Sequence, residues 1–193
     1  MPIDSSSPGY LAPSAEPLDG AALDKVFHDF IVGLTGIEGD LARPRWQPEP
    51  AQQPAFGKDW VAFGIVRRLP DMHSYSEEIP GADGASEVSY DELLYVLHSF
   101  YGPNSSALSA RFKAGCEVAQ NRATIRGQGV LFREVQEPVI LPALLKEKWV
   151  KRIDVTAVFA RRAVRTYPIL IIDSGQLGLD NEHYVTPIQI PTN

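Results

Sequence analysis

The sequence predicts an α+β fold: a single domain with a mixed, mostly antiparallel sheet and two to three helices packed on it, carrying an extended N-terminal arm and a C-terminal tail. Three observations predict it. An apolar repeat at helical spacing opens the domain, and a second helical stretch lies in its middle. Two long strand-like runs, about 88–101 and 149–164, stand on either side of that middle. The resulting order, α, β, β, α(α), β, β, groups the strands in two pairs, each able to pair antiparallel. The boundaries are 1–18 for the arm, 19–172 for the domain and 173–193 for the tail.

Residues 1–18 hold Pro2, Pro8, Pro13, Pro17 and four serines. That composition buries little apolar surface and resists regular structure, so it reads as a flexible or extended arm that orders against a neighbour. Asp19 is a plausible N-cap for a helix over about 19–35. Leu23, Val26, Phe27, Phe30, Ile31 and Leu34 make its apolar stripe, and Gly36 stops it. Residues 43–58 contain four prolines and must be extended, with no ladder donor at any of them.

Residues 59–69 read as a strand. Residues 70–87 form an acidic excursion around a turn at Pro80, Gly81 and Gly84, either an ordered hairpin or a loose loop. In 88–101, Leu93, Tyr95 and Leu97 alternate with Leu94, Val96, His98 and Phe100. Apolar character on both faces predicts a central strand with both faces covered. Gly102-Pro103-Asn104 makes a turn, followed by a helix over about 104–119 on the line Leu108, Phe112 and Cys116, and a short helix over about 121–127. Residues 130–136 read as a short strand, and Pro138 and Pro142 bracket a loop. The strand 149–164 breaks at Thr166-Tyr167-Pro168, and 169–172 adds a short strand. The tail is polar, with Pro187 and Pro191.

The chain has 193 residues, 44 % hydrophobic and 22 % charged, enough to bury a core without staples. One cysteine, Cys116, excludes an intrachain disulfide and suits a cytosolic folding compartment. Residues 1–18 have neither the basic nor the apolar region of a signal peptide. No run approaches the ~20 apolar residues that span a bilayer. The net charge of −6 argues against nucleic-acid binding by bulk electrostatics.

Charge is also segregated. Asp71 to Glu92 carries seven acidic residues and no Lys or Arg; Arg111 to Arg165 carries twelve basic and five acidic, a local net of +7. The tail holds three acids and no bases. Such segregation suits head-to-tail self-association, an acidic edge meeting a basic one, or simply solvated loops of one sign. Candidate interface residues are therefore Asp83, Glu87 and Asp91 on the acidic side and Arg161, Arg162 and Arg165 on the basic side. Trp46, in its proline-rich setting, is either an anchor at a subunit boundary or a core tryptophan capping the sheet.

Catalytic chemistry finds no support. There is no dinucleotide fingerprint, P-loop, metalloprotease helix or nucleophile elbow. His28, His73, His98 and His183 have no metal-ligand spacing with Cys116 or one another. His98 reads as a core or interface histidine, and Cys116 as a small buried hydrophobe. Glu77-Glu78 and Asp91-Glu92 are adjacent pairs, which a strand sends to opposite faces, so neither makes a carboxylate dyad. Arg161, Arg162 and Arg165 with Lys148, Lys151 and Arg152 could touch phosphate, but aromatics are not interleaved as a single-strand platform needs. No catalytic, cofactor-binding or metal-binding residue is nominated, and no cofactor.

Several segments taken together resemble a known family. RPRWQPEP followed by QQP, then DWVAFGI, DELLYVLHSFYGPNS, AQNR and KEKWVKRIDVTAVFARRAVRTYPIL are similar to the neck or tail-terminator proteins of tailed phages and prophages. The resemblance spans roughly Ala22 to Ile172. Its most specific pieces are the SFYGPNS turn and the W-x-x-R-x-D-x-T strand with RTYP after it. It implies a non-enzymatic virion protein in a ring, commonly six-fold, on the head-proximal end of the tail tube. The ring ends tube growth and joins the tail to a head-completion or connector protein. Implied partners are other copies of the chain, the tail tube protein, the head-completion or connector protein and, in a contractile tail, the sheath. DNA passes through the lumen without specific binding; no membrane is involved, and assembly takes place in the host cytoplasm. The competing readings are another head- or tail-completion protein on the same fold, a small enzyme, and a monomeric binding module.

Overall fold

A computed structural model describes residues 4–6, 8–47, 52–71, 73–79, 84–145, 147–170, 176–178 and 187–189. Its elements are α1 (Gly20–Thr35), a single 3-10 turn (Gly39–Leu41), β1 (Ala42–Pro44), β2 (Trp60–Pro70), β3 (Tyr75–Glu78), β4 (Ser86–Tyr101), α2 (Ser105–Glu117), α3 (Ala119–Arg126), β5 (Leu131–Val135), β6 (Val139–Leu145), β7 (Lys148–Tyr167), β8 (Gln176–Gly178) and β9 (Pro187–Gln189). The fold is α+β, as the sequence predicts. A sheet runs in the order β1-β2-β4-β7-β5, with β3 also pairing β4 and β6 also pairing β7. Only β1 with β2 is described as parallel; the β2–β4, β3–β4, β5–β7 and β6–β7 pairs are antiparallel.

The chain divides into two compact units. The larger comprises Pro17–Ser74 and Tyr90–Ala163. In it, the Asp19 carboxylate accepts from the Gly20 N–H at 2.8 Å and starts α1. Gly36, at φ 70°, ends it in the left-handed conformation, its N–H donating to the Val32 carbonyl. Leu23, Phe27, Phe30, Ile31 and Leu34 are buried. Phe27 and Phe30 meet Phe159 of β7 at 5.1 and 5.8 Å between ring centroids, and Phe112 of α2 meets Phe100 and His98 of β4. The core thus lies between the helices and one sheet face.

The turn after β4 is held by Asp59, whose carboxylate accepts from the Asn104 backbone N–H and side-chain amide, both at 2.8 Å. Gly102 sits there at φ 104°, where a Cβ would lie 2.7 Å from the Lys58 carbonyl, so glycine is required.

Three expectations fail here. The strand 88–101 is central, but only its Leu94, Val96, His98 and Phe100 face is covered by helices. Leu93, Tyr95 and Leu97 are half-buried on the other face. There Arg67 lies over the Tyr95 ring at 5.1 Å. Side-chain alternation marks two apolar faces but cannot say what covers each. The loop expected between Pro138 and Pro142 is instead strand β6, which pairs with β7 from Val139↔Asp154 to Leu145↔Lys148. An edge strand tolerates Pro142 because a ladder donor is needed on one side only. β7 likewise runs on through Thr166 and Tyr167.

The smaller unit comprises Met1–Glu16, Tyr75–Ser89 and Val164–Asn193. Its acidic excursion is an ordered hairpin, β3 pairing β4 from Tyr75↔Ser89 to Glu78↔Ser86. Ala15 bridges Thr166, and Ser14 donates to the Thr166 carbonyl at 2.7 Å. β8 and β9 pair antiparallel. The expected strand at 169–172 is not found at Ile169 and Leu170; Ile171 and Ile172, the turn residues Pro80 and Gly81, and Pro191 lie outside the described residues.

Candidate subunit interface

The acidic candidates are spread along the β3–β4 region. Glu87 stands directly opposite Glu77 across the strand pair. Like charges in that register repel, so this end of the hairpin favours a cationic neighbour. Asp91 is exposed, and its backbone carbonyl accepts from the Asp71 N–H at 2.7 Å. Asp83 lies outside the described residues.

The basic candidates separate. Arg161 is only 7 % exposed; its Nε donates to the Glu92 carboxylate at 2.6 Å and a second nitrogen to the Leu18 carbonyl. Its charge is committed internally, so it corrects the expectation of a surface cation. The reason is register: β7 alternates, sending Arg161 to the helix-covered face and Arg162 to the open one. Arg162 is exposed, and Arg165 is half-buried with Glu16 at 3.7 Å.

Trp46 is 75 % exposed, which removes the core-tryptophan reading. It stands beside Gly64, where a Cβ would sit 3.4 Å from its Nε1. Glycine there lets the ring lie against β2, and the ring borders a cleft shared with Asp19, Asp24 and Arg67.

On the second face of β4 and β7 runs a polar chain. Arg45 donates to the Ser99 hydroxyl, Ser99 to Asp154, and Arg152 Nε to Asp154 at 2.7 Å. The carboxylate is thereby satisfied although Asp154 is buried. Tyr101, under Arg152, stacks on Trp60 at 4.1 Å and 5°.

Sequence reasoning missed a cluster of exposed apolar side chains. In the β6–β7 hairpin, Ile140 is 70 % and Trp149 69 % exposed, with Val139 and Leu144 also exposed. The available signal was the run VILPALL directly before KEKW, which the two prolines disguised as a loop.

His98 is fully buried; its Nδ1 lies 3.3 Å from the Val155 carbonyl, and burial pushes its pKa down to about 3, so it is neutral. Burial pushes the Cys116 thiol up to about 12, far from a thiolate nucleophile. Among the described residues no group of three or more His, Cys, Asp or Glu is placed to hold a metal, and no helix is long and apolar enough to cross a membrane.

A family model described as phage neck terminator protein matches residues 21–182. No curated protein matches the chain.

Proposed function

The chain belongs to the phage neck terminator protein family, a structural component of the phage neck, and from that membership we propose that it works as one copy in a six-fold ring at the head-proximal end of the tail tube. The ring ends tube growth and joins the tail to the head-completion or connector protein, without catalysis. Its partners are its own copies, the tube protein, the head-side protein and, in a contractile tail, the sheath. DNA passes through the lumen without specific contact. Assembly takes place in the host cytoplasm.

The observation that carries this reading is the family match from residue 21 to 182. Two features support the ring. Acidic and basic residues occupy different segments, as a heterologous interface that closes by rotation would use. A broad apolar hairpin is left uncovered in the single chain. In this reading Trp46, Asp83, Glu87, Asp91, Arg162 and Arg165 lie at subunit or partner boundaries, and the arm (1–18) and tail (173–193) reach onto neighbours.

The test is removal of the gene from its phage. Tails of unregulated length that fail to join heads, rescued by the intact chain, are the expected result. Normal particles without the protein would overturn the reading. Charge reversal at Asp83, Glu87 and Asp91 together tests the acidic segment separately, since unchanged ring assembly and head–tail joining would remove it from the interface.

A further inference from the structure

Two surfaces of the larger unit are complementary and cannot meet within one chain. The first is the β6–β7 hairpin. Cross-strand pairing puts Leu144 beside Trp149 on one face, while Val139 and Leu141 stand on the other, next to Asp154 and Arg152. Both faces thus carry exposed apolar side chains at a sheet edge, an arrangement that soluble chains normally cover or blunt. Exposed Lys151 shares the Leu144–Trp149 face and donates to the Ser106 hydroxyl at 2.6 Å, while Lys148 lies on the other face over the Phe56 ring.

The second surface is a cleft of about 290 Å³. Leu69, Pro70, Leu93 and Ala160 form its apolar lining, and Asp71 and Asp91 add carboxylates. Its acids are the two ends of the segment, Asp71 to Glu92, that carries no Lys or Arg.

β7 carries both surfaces, the hairpin at Lys148–Asp154 and the cleft at Ala160. Lys151 and Ala160 are nine residues apart on that strand, roughly 30 Å at ~3.3 Å per residue. One chain therefore presents an apolar, cationic projection at one place and an apolar, anionic recess at another. That is the composition of a heterologous contact, which closes into a ring when its rotation permits.

We propose that the β6–β7 hairpin of one copy docks in the Leu69–Leu93 cleft of the next, each subunit giving its hairpin to one neighbour and receiving the other's. The occupant is a second copy because the two surfaces match in both polarity and charge: Leu144 and Trp149 meet the apolar lining, and Lys151, on the same face of the hairpin, meets Asp91 and Asp71. This inference rests on the ring reading and names the surfaces that make the ring.

The test places the photo-cross-linker p-benzoylphenylalanine at Trp149, an exposed aromatic position whose replacement leaves the core intact. Irradiation is done on the purified chain at high concentration and in cells producing particles. The expected product is a two-copy adduct whose linked peptide contains residues 66–71 or 91–95. Asp91→Lys is expected to reduce its yield about tenfold, and Asp91→Lys combined with Lys151→Glu to restore it. A hairpin-to-hairpin adduct, an adduct only with another protein, or no adduct in either setting would overturn the inference. The outcome is separable from the ring reading: a protein that still caps tubes but links hairpin to hairpin defeats only the docking, whereas normal tails without the gene defeat the ring whatever the adduct.

Discussion

Phe159 and Trp149 stand ten residues apart on β7. Phe159 is fully buried against Phe27, Phe30 and Phe132, while Trp149 is 69 % exposed beside Leu144, which is exposed too. The strand is the same and the chemistry similar; the difference is the helical layer, which covers one stretch and leaves the other bare. Aromatic burial in the first stretch stabilises the chain itself. In the second the ring is left bare, and in the docking proposed above the same residue type serves association rather than folding.

The contrast is broken most sharply by truncating both rings. Phe159→Ala is expected to cost about 3–5 kcal/mol of folding stability, whereas Trp149→Ala stays within about 0.5 kcal/mol. Denaturant unfolding of the isolated chain measures both, and equal losses would mean that the hairpin is part of the folding core.

Charge follows the same division. Glu92 and Arg161 form a fully buried pair, and Glu92→Gln leaves a buried guanidinium without its counter-charge, a loss of about 3–5 kcal/mol. The exposed Arg122–Glu117 pair supplies the control: Glu117→Gln is expected to change stability by about 1 kcal/mol or less on the same unfolding curves.

His98 marks the covered face by pH. Its folded pKa of about 3 lies below the ordinary 6.5, so the unfolded chain takes up the proton first. Its contribution is fully present above about pH 6.5 and falls by about 1.4 kcal/mol per pH unit as the pH drops toward 3. Urea midpoints measured from pH 7 to 5 should decline in the natural chain and flatten in His98→Leu. The smallest of the expected losses inside the covered region is at the helix start. Asp19→Ala removes the cap and the Arg68 contact, for an expected loss of about 1 kcal/mol visible in the melting temperature.

Much of the covered region was legible in the residues. Asp19, the 3.6-residue stripe through Phe27 and Phe30, and Gly36 announce α1, because cap, period and stop signal are all local. The alternation around Leu94 and Leu93 announces a central strand, but which face the helices take is a tertiary fact and was read wrongly as both. β6 was hidden because Pro142 signals a loop when neighbours are unknown, and only pairing with β7 makes it a strand. For the candidate site, the segregated charge was visible as composition. That Arg161 turns inward while Arg162 turns outward depends on the register of β7, and the uncovered hairpin could not be read before its strands were paired.

The central claim is that this chain assembles with itself at the end of a tail tube. Mass photometry of the purified protein, alone and mixed with its own tube protein, with imaging of any rings, tests it most directly. The account predicts closed rings of uniform size that cap tube ends; a protein that stays strictly monomeric and ignores tube ends would contradict it.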